Sequence, residues 1–141
     1  MKRSEVREIL FMLLFRAEYN DISEMPEQMQ LFFNVDFSMD SEGEDSFIKD
    51  GDKEYIMKRG MSILEKLPEI DKAISEKATG WTLDRFGKVD LAIVRLAVYE
   101  MLYDDDIPTG VAINEAVEIA KKYGRDESSG FVNGVLAKFA K

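Results

Sequence analysis

The sequence predicts an all-α protein, and three observations lead there. Apolar residues recur at helical spacing in segment after segment, no stretch reads convincingly as a strand, and proline, glycine and acidic clusters punctuate the chain between the helical segments. Counting gives about seven helices, with no internal repeat and no low-complexity tract. A length of 141 residues suits one domain with a real core.

Val6, Ile9, Leu10, Leu13, Leu14 and Ala17 follow the i, i+3, i+4, i+7 rule, which predicts a helix from residue 3 to about 19. Phe11, Met12 and Phe15 widen its apolar face, as expected of a helix packed on two sides or facing a partner. Pro26 is placed to open a second helix, running to about Phe37. The following SMDSEGEDS is the best loop candidate. Phe47, Ile48, Tyr55, Ile56, Ile63, Leu64 and Leu67 suggest a third helix over 44 to 67, softened near Gly51 and ended by Pro68. A shorter fourth helix is expected from about Glu69 to Ala78.

The segment TGWTLDRFGKVD then holds two glycines and the only tryptophan, and marks a boundary between halves of about 1–78 and 79–141 within a single domain, 1–141. After it, VDLAIVRLAVYEMLYDDD is apolar on nearly every face, which places its helix in the middle of a bundle. Arg95 inside that run needs a carboxylate or helix-end carbonyls to offset its desolvation. Asp104 to Asp106 stop this helix, and Ile107, Pro108 and Thr109 start the next. The apolar face of that sixth helix reads as Ile113, Ala116, Val117 and Ala120, with Glu118 and Lys122 spaced to pair and Gly124 as C-cap. Asp126 or Ser128 can cap the last helix. In that helix Phe131, Val132, Val135, Leu136 and Phe139 are periodic, yet Gly130, Asn133 and Gly134 sit among them. A helical glycine costs about 1 kcal/mol relative to alanine, so Gly134 is expected to permit a close helix approach and Asn133 to satisfy nearby backbone.

Composition excludes much. With no cysteine there is no disulfide, thiol nucleophile or thiolate metal site, and with no histidine there is no Ser-His-Asp triad or histidine-bound zinc. The SMDSEGEDS carboxylates fail the spacing of an EF-hand, because the sixth position from Asp36 is Ser41 and from Asp40 is Asp45. No catalytic residues, metal site or cofactor are expected, so the protein should work by binding and not as an enzyme. No apolar run reaches the roughly 18 residues of a membrane span, and the opening MKRSEVRE does not resemble a secretory signal, so the cytoplasm is the expected location. The net charge of −9 comes from one segment: residues 21 to 52 carry 10 acids against Lys49, and the remainder holds 18 acids and 18 bases. A local basic patch elsewhere is therefore compatible with the total.

Four stretches in order resemble the NusB family of transcription antitermination factors: the amphipathic first helix with Arg7; W-x-L-x-R-x-G-x-V-D leading into AIVRLAVYEML; IPTGVAINEAVEIAKKYG; and the S-x-x-FVNGVL ending. The resemblance implies two three-helix subdomains sharing a core. It also implies an RNA-binding accessory factor of bacterial RNA polymerase. In that family the factor pairs with NusE, a small-subunit ribosomal protein, and the pair binds single-stranded box A RNA in ribosomal RNA leader transcripts within an antitermination complex. By position, the resemblance places RNA binding at Lys2, Arg3 and Arg7 and at Glu127, Ser128, Gly130 and Phe131. It places the NusE surface at Phe15 and Asp90. Read from the residues alone, Lys2, Arg3 and Arg7 equally suit a solvated helix start, Phe131 suits core packing, and Phe15 and Asp90 suit structural roles. The alternative function is a helical protein-protein interaction module, or a homodimer, with weak or no RNA binding.

Overall fold

The computed structural model describes residues 2–33, 49–78 and 86–140. It contains seven α-helices among them: α1 (Arg3–Ala17), α2 (Met25–Phe32), α3 (Asp50–Glu65), α4 (Leu67–Lys77), α5 (Lys88–Tyr103), α6 (Thr109–Tyr123) and α7 (Ser128–Ala137), with a 3-10 turn at Ile22–Glu24 before α2. The expected SMDSEGEDS loop, the extension of the second helix to Phe37, Phe47 and Ile48, and the tryptophan of the linker fall outside the described residues. The chain groups into two compact units, Met1–Leu64 and Glu65–Lys141. α4 falls in the second of these units.

In the first unit α1 buries Ile9, Leu10, Phe11, Leu13 and Leu14, a wide face as its sequence requires. Pro26 occupies the first turn of α2, where its missing N–H costs nothing, and Met25, Met29 and Phe32 point inward. From α3 come Ile56, Ile63 and Leu64, whereas Tyr55, about a quarter turn round the helix from Ile56 and Ile63, is exposed. These three helices meet at Gly60. A Cβ there would lie 3.0 Å from the Met29 methyl and 3.7 and 3.9 Å from methyls of Leu13 and Leu10. The absent side chain is what lets α3 approach both neighbours. Arg16 covers the Phe32 ring at 4.9 Å, closing one side of this core with a cation over an aromatic face.

In the second unit α5 is the axis. It packs against α4, α6 and α7, which is why Leu91 to Val94 and Leu96 to Glu100 are buried around its whole circumference. Ile70 and Ile74 on α4, with Ala78 just after its end, form a buried stripe spaced by four residues. The buried face of α6 is Ala112, Ala116, Ile119 and Ala120, rotated from the one its sequence suggests; Ile113 and Val117 flank it half-buried. Three alanines in that face let α6 pack closely on both α5 and α7, and small size here outweighs hydrophobicity. Glu118 pairs with Lys121, one residue nearer than Lys122, at 3.3 Å. The turn after α5 is held by the Asp106 N–H donating to the Asp104 carboxylate at 3.0 Å.

Arg95 meets its expected carboxylate. Its Nε and an Nη each donate to one oxygen of Asp71 at 2.9 Å, a bidentate clamp from α5 to α4. The Arg95 side chain retains 11% exposure and Asp71 26%. Removing Asp71 takes the two-point clamp from a largely buried cation. The expected outcome is that Asp71→Ala lowers stability by about 2 to 3 kcal/mol, short of a fully buried pair because Asp71 is partly solvated. The double variant Asp71→Leu/Arg95→Met should recover most of that loss. Chemical denaturation of both variants measures it, and equal losses would show that the ion pair is not what matters.

Candidate nucleic-acid interface

The residues expected to bind RNA lie in both units, and each group has its own structural setting. In the first unit Lys2 and Arg3 are exposed at the start of α1. The Lys2 backbone N–H donates to Glu5 Oε1 at 3.0 Å, so Glu5 satisfies a helix-end donor that would otherwise be unpaired. Arg7 is different: only 6% of it is exposed. Two of the three expected bases therefore stand open to solvent, and the third faces inward. Further along α1, Phe15 is half-buried and meets Tyr19 edge-on at 5.5 Å, while Tyr19 is 62% exposed.

In the second unit the site is built at the corner between α6 and α7. Gly124 ends α6, its N–H donating to the Ala120 carbonyl at 2.8 Å. A Cβ on Gly124 would lie 2.5 Å from Ser128 Cβ, 2.6 Å from Ser128 Oγ and 2.7 Å from the Ala120 oxygen. Two of those obstacles are a buried side chain and one is backbone, so only glycine fits. Ser128 is buried, and its bonds are reciprocal: Oγ accepts from the Arg125 N–H at 2.9 Å, while its own N–H donates to the Arg125 carbonyl at 3.0 Å. The helix preceding residue is Glu127, and no side chain caps it. Asp126 and Ser128 are thus not the caps expected from sequence; the Ser128 hydroxyl is spent on locking the corner.

From that corner α7 buries Ser128, Val132, Val135 and Leu136, and exposes Gly130, Asn133, Gly134 and Ala137. Cβ atoms added at Gly130 or Gly134 would meet nothing within 4 Å. Gly134 does not mediate a close helix approach, contrary to expectation: the three unusual residues make one exposed face nearly free of bulky side chains. Phe131 stands at the edge between the two faces, half-buried, its ring 5.0 Å from that of Phe86 at an interplanar angle of 73°. Phe86 is 5% exposed. It brings the start of α5 against the start of α7, an association that the sequence does not signal because 45 positions separate the two rings. Asp90, in the first turn of α5, is half-buried. Among the described residues no group of acids could hold a metal ion, and no helix is long and apolar enough to cross a membrane.

A sequence model described as the NusB family matches residues 4–141. The chain is 53% identical to the transcription antitermination protein NusB of Agathobacter rectalis over 140 residues, covering 99% of this chain and 100% of that protein. It is 48% identical to the protein of the same name from Lachnoclostridium phytofermentans, covering 98% of each. Among solved structures, T. maritima NusB superposes with a TM-score of 0.79 at 34% identity, over 99% of this chain and 91% of that one. NusB from Aquifex aeolicus gives 0.78 at 24% identity, over 98% and 86%, a likeness of fold.

The corner makes opposite predictions for two glycines. Gly124→Ala should cost about 1 to 3 kcal/mol through overpacking against Ser128 and the Ala120 carbonyl. Gly134→Ala should instead stabilise by about 0.5 to 1 kcal/mol, through helix propensity at an exposed position. Thermal denaturation of the two variants checks both signs.

Proposed function

Because this chain belongs to the NusB family of transcription antitermination factors, we propose that it pairs with NusE and binds the box A element of ribosomal RNA leader transcripts, acting in the cytoplasm as an accessory factor of RNA polymerase. Members of the family are regulatory factors rather than enzymes, and the chemistry required here is recognition alone.

The observation that carries this reading is Phe131, a half-exposed aromatic ring standing beside a face of α7 with almost no side chains. Single-stranded RNA is held by rings that stack on bases and by cations on phosphates. An unobstructed face at Gly130 lets a nucleotide come close to the ring. Glu127 and Gly130 flank it from the exposed side, while Ser128 acts from within, by fixing the corner. Lys2 and Arg3 supply exposed positive charge at the start of α1, whereas Arg7 is buried. Phe15 and Asp90, each half-buried, are the proposed contacts to NusE. An acidic side chain facing a basic ribosomal protein speeds and orients association more than it adds affinity.

The test is a fluorescence anisotropy titration of box A RNA with the chain alone and with NusE, across a range of salt. Binding by the mixture at low salt, weakening as salt rises, is the expected result; no binding by the mixture at low salt would sink the proposal. Phe131→Ala should weaken that binding by about 1 to 3 kcal/mol, the worth of one stacked base. Its slope against salt should stay unchanged because no charge is lost. Since the variant also loses the ring contact with Phe86, worth about 0.5 to 1.5 kcal/mol, the titration belongs well below its melting temperature.

A further inference from the structure

Successive residues of an α-helix are rotated by about 100°, so the positions four before, three after and seven after a given residue share its side of the helix. Counted from Phe131 on α7, these are Glu127, Gly134 and Lys138. Glu127 immediately precedes the helix and Lys138 immediately follows it. Lys138 keeps helical backbone angles, φ −70° and ψ −18°, and its N–H donates to the Val135 carbonyl at 3.2 Å, so the register holds to that residue. Glu127, Gly134 and Lys138 are exposed, and Phe131 is half-buried. One side of α7 therefore carries, in order, an acid, an aromatic ring, a gap and a base.

The gap is open, because a Cβ on Gly134 would meet nothing within 4 Å. Side chains on a helix lean towards its N-terminus, which at position 138 is the direction of Gly134 and Phe131. Seven residues at about 1.5 Å each separate the two Cα atoms by roughly 10 Å along the axis, and the four methylenes of a lysine shorten that span. Among the described residues nothing forms an ion pair or hydrogen bond with the Lys138 ammonium. A base beyond a helix end also meets the negative end of the helix dipole, which accounts for a lysine there but not for its alignment with the ring.

Charge makes the two ends of the stripe unequal. Before the ring, the exposed Asp126 and Glu127 outnumber Arg125 and repel a phosphate; after it, Lys138 attracts one. We infer that Lys138 binds a phosphate of the strand whose base stacks on Phe131, the strand lying along α7 over the bare surface at Gly134. This assignment rests on the RNA-binding reading above and adds to it the path by which the strand leaves the ring, towards the C-terminal end of α7.

The experiment uses the full chain with NusE and a fluorescein-labelled single-stranded box A RNA. Lys138→Gln should lower affinity several-fold at low salt and reduce the slope of log K against log salt by about 0.7, the signature of one lost phosphate contact on a single strand. Lys138→Arg should restore the slope. Gly134→Leu, which fills the gap, should lower affinity several-fold with the wild-type slope, because it obstructs the strand and removes no charge. Melting temperatures should hardly fall, since both positions are exposed. Unchanged affinity and slope in Lys138→Gln, with binding still weakened in Phe131→Ala, would overturn the assignment and leave the RNA-binding reading intact. Lower affinity with the wild-type slope in Lys138→Gln would also overturn it, because that pattern reports a structural effect. Wild-type binding by Gly134→Leu would overturn the path along α7. If the wild-type mixture does not bind, the assignment and the RNA-binding reading fall together.

Discussion

Where α6 ends, the chain runs so close to Ser128 that no side chain fits at position 124, and what α7 displays follows from that approach. Ser128 closes the corner with bonds in both directions to Arg125, which sets the rotation of α7 about its axis. With that rotation fixed, Val132, Val135 and Leu136 face the core and Gly130, Asn133 and Gly134 face solvent. Phe131 falls between the two sets. A turn of one residue either way would bury the ring or strip it of its contact with Phe86. The site is therefore made by packing, and the polar group within it that is most buried, the serine hydroxyl, has a structural task.

The two units solve the problem of close helix packing differently. In the first, one missing side chain at Gly60 admits methyl groups from two neighbours. In the second, a run of small residues on α6 and an apolar α5 do the same along a whole helix, and the one cation in that α5 run is matched by a two-point clamp. Such a clamp adds less to stability than its geometry suggests, since both groups lose hydration. It does restrict register, because a guanidinium and a carboxylate meet in this way at only one rotation of α4 against α5.

The helices were legible in the sequence where burial is either one-sided or complete. The wide face of α1, the all-round apolar α5 and the need of Arg95 for a carboxylate all followed from periodicity and desolvation. The face of α6 is less legible, because hydrophobicity favours Ile113 and Val117, whereas close helix spacing favours alanine. Tyr55 belongs to the apolar set that predicts the third helix, but Ile56 and Ile63 define a face it does not share. Gly134 and Asn133 read as packing residues from the helical pattern, yet both lie on an exposed face. Phe86 carried no signal at all, since its significance comes from a ring 45 positions away. For the same reason the resemblance could place Arg7 in a site by alignment without revealing that its side chain is turned from solvent.

The acidity of the whole chain bears little on whether it meets RNA. Exposed charges act over about 8 to 10 Å at moderate ionic strength, so a phosphate senses the few groups around its own contact. Along α7 those groups differ in sign from one end to the other: two acids against one base before the helix, one exposed lysine after it. On the proposed reading, a strand crossing this surface would be steered by that local difference. Stacking, which is insensitive to salt, would then set where it stops, so aromatic position and charge position would govern separate parts of the proposed recognition. If the proposed RNA binding holds, a net charge of −9 would confine attraction to a short path and repel nucleic acid elsewhere, favouring a specific element over bulk RNA.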